Sequence, residues 1–176
     1  MIIISCNALG IPNTDFKSAD KEIVARVNLA WQNNKKEAEK VLADLSHDIY
    51  LDYPQGRTKP PRPTISLDEA LELAKKFKVK YFAVSNAENP RALLAIKKKL
   101  PSFTALVPKI ETRRGVLNLE NIAQTTNIKY IMLDKDDLYI DVNRDQKTFE
   151  KLTQAVRDKC SGLGVRVLEL RGVIFT

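Results

Sequence analysis

The chain has 176 residues, 44% hydrophobic and 29% charged, enough for one globular domain with a core and unlike disordered, collagen-like or fibrous chains, yet short of the roughly 250 residues of an ordinary eight-stranded α/β barrel. No apolar run reaches the ~18–20 residues of a membrane span, the start Met1–Cys6 lacks the features of a secretion signal, and Cys6 and Cys160 form no C-x-x-C pair, which together predict a cytoplasmic protein with no membrane contact and two buried thiols. The net charge of +7 is spread over Lys35-Lys36, Lys75-Lys76, Lys97-Lys98-Lys99 and Arg113-Arg114 without interleaved aromatics, so it reads as solvated faces with no nucleic-acid partner, and its field suits a small anionic substrate.

In chain order, β-branched or apolar runs fall at Ile2–Cys6, Ile23–Leu29, Asp48–Tyr53, Lys80–Ser85, Thr104–Ile110, Lys129–Leu133 and Val165–Leu170. Helical stretches intervene at Lys35–Leu45, Leu67–Phe77, Pro90–Leu100, Leu119–Gln124 and Gln146–Cys160. Strands alternating with helices predict parallel βα units, because parallel neighbours need a crossover that a helix usually supplies. Ser66 ahead of Leu67-Asp68-Glu69 is a helix-capping signal, and Pro101 and Gly164 mark places where a strand begins again. Gln55–Pro63, with Pro60, Pro61 and Pro63, can be neither helix nor central strand and is expected to be an ordered or extended loop.

Ligands of parallel α/β folds bind at the carboxyl ends of the strands. That rule selects Arg26 and Asn28 after the second run, Asp52 after the third, Ser85 after the fourth, Lys109 and Glu111 after the fifth, and Asp134, Asp136 and Asp137 after the sixth. Glu111 and Asp137, two carboxylates at neighbouring strand ends, suit a hard divalent ion such as Mg2+ or Mn2+ with positions left open for substrate oxygens. Lys109 shares a face with Glu111 at i, i+2 and places an ammonium where charge on an enolate or a phosphoryl group can be neutralised. The plainer alternative is that Lys109 and Glu111 form an ion pair on the rim.

Around these residues, Lys109-Ile110-Glu111-Thr112-Arg113-Arg114-Gly115-Val116-Leu117-Asn118-Leu119 followed by Ile131-Met132-Leu133-Asp134-Lys135-Asp136-Asp137-Leu138 resembles the signature of the phosphoenolpyruvate/pyruvate barrel superfamily. Pyruvate kinase is the nearest branch by collinear pieces: Ala25-Arg26-Val27-Asn28-Leu29, Asp52 to Gly56, and Tyr81-Phe82-Ala83-Val84-Ser85. The resemblance runs from Ile3 to about Arg171. It implies a shortened TIM-type (β/α) barrel of about seven units over residues 1–176, a single domain without lid or C-terminal allosteric domain. It also implies enzymatic use of a metal-bound enolate of a pyruvate or phosphoenolpyruvate-type 2-oxo acid. By that likeness Lys109 is the catalytic lysine, Glu111 and Asp137 are the metal carboxylates, Arg26 lies near the substrate phosphate, and Asn28 and Asp52 are ligands of a monovalent cation.

Departures from the kinase pattern point away from efficient phosphoryl transfer. Ala30 stands where a serine would give potassium an oxygen, Asp136 where a glycine would bind phosphate, and Arg171 where the seventh strand would end in threonine. The lid after the third strand is reduced to Lys59–Pro63, and a kinase without it closes poorly over ADP. The aldolase and lyase branch of the superfamily needs no lid and shares the glutamate and aspartate, so it is the main alternative. A third reading is a catalytically degenerate barrel serving as a regulatory or scaffold subunit. Seven strands where closure usually takes eight would leave open edges, to be covered by a second copy or another protein, or plugged by Val165–Thr176.

Overall fold

The computed structural model describes residues 2–6, 22–57 and 60–168. Among them, seven parallel strands alternate with helices, an α/β arrangement of the TIM type, as the sequence predicts. The chain divides into two compact units, one running through Phe82 and taking in Leu100–Thr104, the other made of Ala83–Lys99 and Ala105–Glu169.

In the first unit β1 (Ile2–Ser5), β2 (Ile23–Asn28) and β3 (Asp48–Tyr53) pair in parallel, with Ser5 opposite Arg26 and Asn28 opposite Asp52. Val24 to Val27 are all buried, as befits a strand covered on both faces. A 3-10 turn, Leu29–Trp31, follows β2, then α1 (Lys35–Ala43), which buries Ala38, Val41 and Leu42 at helical spacing. Helix α2 (Leu67–Lys76) opens with the predicted cap in full: the Ser66 hydroxyl accepts from the Glu69 N–H, and the Glu69 carboxylate accepts from the Ser66 N–H at 2.8 Å. Residues 54–66 are all that join β3 to α2; within that loop, Arg57 donates to the carbonyls of Pro61 at 3.0 Å and Pro60 at 2.8 Å. The first unit also holds the start of β4 (Tyr81–Val84), where the Lys80 ammonium bridges Asp48 at 2.6 Å and Glu22 at 2.8 Å.

The second unit continues from β4 through α3 (Pro90–Lys99), β5 (Ala105–Ile110), α4 (Arg113–Thr126), β6 (Tyr130–Leu133), α5 (Lys135–Asp141), α6 (Gln146–Gly162) and β7 (Arg166–Leu168). Strands β5, β6 and β7 lie side by side in chain order. Pro90 occupies the first position of α3, where its missing N–H is harmless, and Asn89 caps the Arg91 N–H at 2.9 Å. Lys97 of α3 donates to the carbonyls of Thr126 and Asn127 at the end of α4, the favourable place for a cation on a helix.

Two elements differ from the sequence expectation. Helix α4 begins at Arg113 rather than Leu119, because Thr112 caps the Gly115 N–H and Val116, Leu119, Ile122, Ala123 and Thr126 form one buried stripe. Helix α5 was not expected at all; it is a two-turn element that Asp134 starts, with Leu138 as its buried residue. Both thiols are free and buried, as expected. Arg171 and residues 173–176, to which expectations attached, lie outside the described residues, as does Lys59 of the proline loop.

Candidate functional site

Strand β5 ends in Lys109-Ile110, and the alternation of the strand turns Ile110 into the core while Lys109 and Glu111 share the other side. Their side chains meet there, with Lys109 Nζ 3.1 Å from Glu111 Oε2. Both are nearly sealed from solvent, at 4% and 5% exposure, so the ammonium must be paired to be tolerated. Asp134 Oδ2 lies 3.3 Å from the same ammonium, and Ser85 Oγ accepts from it at 3.3 Å.

The loop after β4 fixes the glutamate. Asn86 takes a left-handed conformation, φ +50°, suited to asparagine, and its N–H donates to Glu111 Oε1 at 2.8 Å. The next N–H, of Ala87, donates to the Lys109 carbonyl at 3.2 Å. Helix α4 presses on this loop so closely that a Cβ on Gly115 would sit 3.1 Å from the Ala87 carbonyl oxygen. Burial pushes the Glu111 carboxyl above its ordinary range, opposed by the Lys109 charge and the Asn86 N–H.

Asp137 is not at a strand end, as the sequence reading had it. It belongs to the first turn of α5, brought back to the strand ends because Asp134 directly follows β6 and caps that helix, with Asp134 Oδ1 accepting from the Asp137 N–H at 3.4 Å. One carboxylate oxygen from each of Glu111, Asp134 and Asp137 lies within 4.8 Å of the others. In the sequence Asp134 is only one of several polar residues after the sixth strand. The signal that marks it is an aspartate directly between an apolar run and a helix start, where it caps and faces inward together.

The donor set fits a hard divalent ion. It consists of carboxylate oxygens alone, and Glu111 Oε2, though 3.1 Å from Lys109 Nζ, is a buried atom that receives no hydrogen bond. Mg2+ and Mn2+ are the ions such oxygens suit. Asp136, by contrast, is exposed in the first turn of α5.

The remaining predicted residues form their own cluster in the first unit. Arg26 directs Nε and Nη2 to Asp52 Oδ2 at 3.1 and 2.6 Å, and Nη1 to Ser5 Oγ at 3.1 Å. Arg26 and Asp52 are both buried. Asn28 Oδ1 accepts the Ala30 N–H at 3.0 Å and caps the 3-10 turn. The family likeness assigns Arg26 to substrate and Asp52 to a cation; the structure joins the two in one ion pair.

No protein-family profile and no curated protein sequence matches the chain. Its structure is similar to that of RipC from Yersinia pestis, at a TM-score of 0.66 and 15% identity over 96% of this chain and 73% of that one. It is also similar to macrophomate synthase, at a TM-score of 0.67 and 14% identity over 82% of this chain and 62% of that one. The chain has their fold. Among the described residues no helix is long and apolar enough to cross a membrane.

Proposed function

We propose that the chain is a divalent-metal-dependent enzyme that forms the enolate of a pyruvate-type 2-oxo acid, on the aldolase and lyase side of the superfamily rather than as an efficient pyruvate kinase. The observation that carries this reading is the carboxylate set Glu111, Asp134 and Asp137 around a buried lysine. When bound, Mg2+ or Mn2+ supplies positive charge against the carbonyl oxygen of the 2-oxo acid. Glu111, Asp134 and Asp137 would hold the ion, and the Asn86 N–H orients Glu111 for that task. The Lys109 ammonium is a second positive group for the charge that develops on the carbonyl oxygen as a base from solvent takes the proton of the carbon beside it. Both groups stand on a strand end and a capped helix start, so little reorganisation is needed during reaction.

Three features favour the lyase side. The short span 54–66 leaves no room for a nucleotide lid after β3, Asp136 puts a carboxylate where the kinase pattern has a phosphate-binding glycine, and the two structural neighbours are aldolase and lyase-type enzymes. Lys109 is the feature shared with the kinase side.

Hydrogen exchange tests enolate formation without knowledge of the second substrate. Pyruvate in D2O with the protein and Mg2+ is expected to lose its methyl proton signal in NMR faster than buffer with Mg2+ alone, and chelation should abolish the excess. No excess exchange with any of pyruvate, 2-oxobutyrate or oxaloacetate would overturn the reading.

A further inference from the structure

We infer that the Lys109 ammonium is the resident cation of the carboxylate cluster, which a divalent ion displaces on loading, so that the metal must arrive before Lys109 is presented to an anionic substrate. This rests on the metal reading above and adds an order of events to it. Lys109 Nζ sits 3.1 Å from Glu111 Oε2 and 3.3 Å from Asp134 Oδ2, and those residues supply two of the three oxygens that lie within 4.8 Å of one another. The ammonium thus stands on two of the three carboxylates a dication would take. At 4% exposure it has no water to retreat into, and its partners account for its tolerance in the interior.

A dication and an ammonium cannot share these oxygens at such distances without strong repulsion in a poorly solvated site. Loading therefore breaks the Lys109 contacts to Glu111 and Asp134 and leaves the hydrogen bond to Ser85 Oγ, which belongs to neither carboxylate. An ammonium released from these two carboxylates can turn to another, and a 2-oxo acid carries one. Before the metal arrives, three carboxylates against one ammonium leave the cluster net negative, which repels an anion. The lysine thereby weakens metal binding and makes substrate binding conditional on it.

Two measurements test this. Calorimetry with Mn2+ alone is expected to show Lys109→Met binding at least about tenfold more tightly than the wild type, since one neighbouring charge changes ion occupancy by one to three decades. In the wild type, NMR of 15N-lysine side chains is expected to show one Nζ signal, absent from the Lys109→Met spectrum, that moves on saturation with Mg2+. Equal or weaker Mn2+ binding by Lys109→Met, or an unmoved Lys109 signal at saturating Mg2+, overturns the displacement while the metal reading stands. If neither protein binds Mn2+, both fall together. Should Lys109→Met fail to fold without metal, Lys109→Arg, which keeps a cation at the position, assigns the wild-type signal, and that signal decides alone.

Discussion

Asp52→Ala separates a structural role for the Arg26 and Asp52 pair from a ligand-binding one. The substitution takes from the buried Arg26 guanidinium its two bonds to one carboxylate oxygen. Removing one member of a buried ion pair costs about 3–5 kcal/mol, most of it from the stranded charge. With a urea dependence of about 2 kcal/mol per molar, the unfolding midpoint should fall by about 1.5–2.5 M. Asp52→Asn keeps an oxygen toward Arg26 but loses the charge, so it should cost about half as much, charged hydrogen bonds being roughly twice as strong as neutral ones. The double change Arg26→Met with Asp52→Leu removes both charges and should recover most of the loss. Urea titrations of the three variants, followed by circular dichroism, read these numbers directly. A loss below about 1 kcal/mol for Asp52→Ala would refute the reasoning, because it would mean the pair is not sealed from water.

Four other outcomes are expected. Glu111→Gln keeps the shape and removes one of three charges; half of the ~4 kcal/mol for a unit charge pair at 4 Å, since the amide oxygen still ligates, is a lower bound for a divalent ion, so Mn2+ binding by calorimetry should weaken at least about 30-fold, and equal binding would remove Glu111 from the site. A coupled assay with phosphoenolpyruvate, ADP, Mg2+ and K+ should give turnover well below the typical 1–100 per second of kinases, and a rate within that range would restore the kinase reading. Burial pushes the Cys160 thiol from 9.0 up to about 11; the unfolded thiol then ionises first as pH rises, so stability should decline between those two values, and Cys160→Ala should flatten that part of the pH profile in urea titrations. A thiol reagent at pH 8 should leave Cys160 unmodified until denaturant is added.

The strands were readable because buried parallel strands are continuous apolar runs, and β3 coincides with its expected span Asp48–Tyr53. Helices α1, α2 and α3 start where expected and stop one or two residues early, a matter of end fraying that composition does not register. Helix α5 was hidden because Lys135-Asp136-Asp137 looks like a polar loop; its helicity comes from the Asp134 cap and the burial of Leu138, a single apolar anchor too sparse to show a period. In the candidate site, the shared face of Lys109 and Glu111 follows from strand alternation. Asp134 does not, because its inward position depends on the turn between β6 and α5, which tertiary packing sets. The pairing of Arg26 with Asp52 was equally hidden, since it depends on the β2 to β3 register, in which Asp52 lies opposite Asn28.

Asp134 carries its two tasks on separate oxygens, Oδ1 toward the Asp137 N–H and Oδ2 toward Lys109. The position therefore has a chemical requirement stricter than either task alone. Serine or threonine could start the helix but would bring no charge. Asparagine could start it too, yet would turn an amide nitrogen, a donor, toward an ammonium that is itself only a donor. Glutamate has the charge but a longer reach that no longer closes the cap. Aspartate alone satisfies both partners, so that a change at this one side chain unwinds the start of α5 and disarms the cluster in the same stroke.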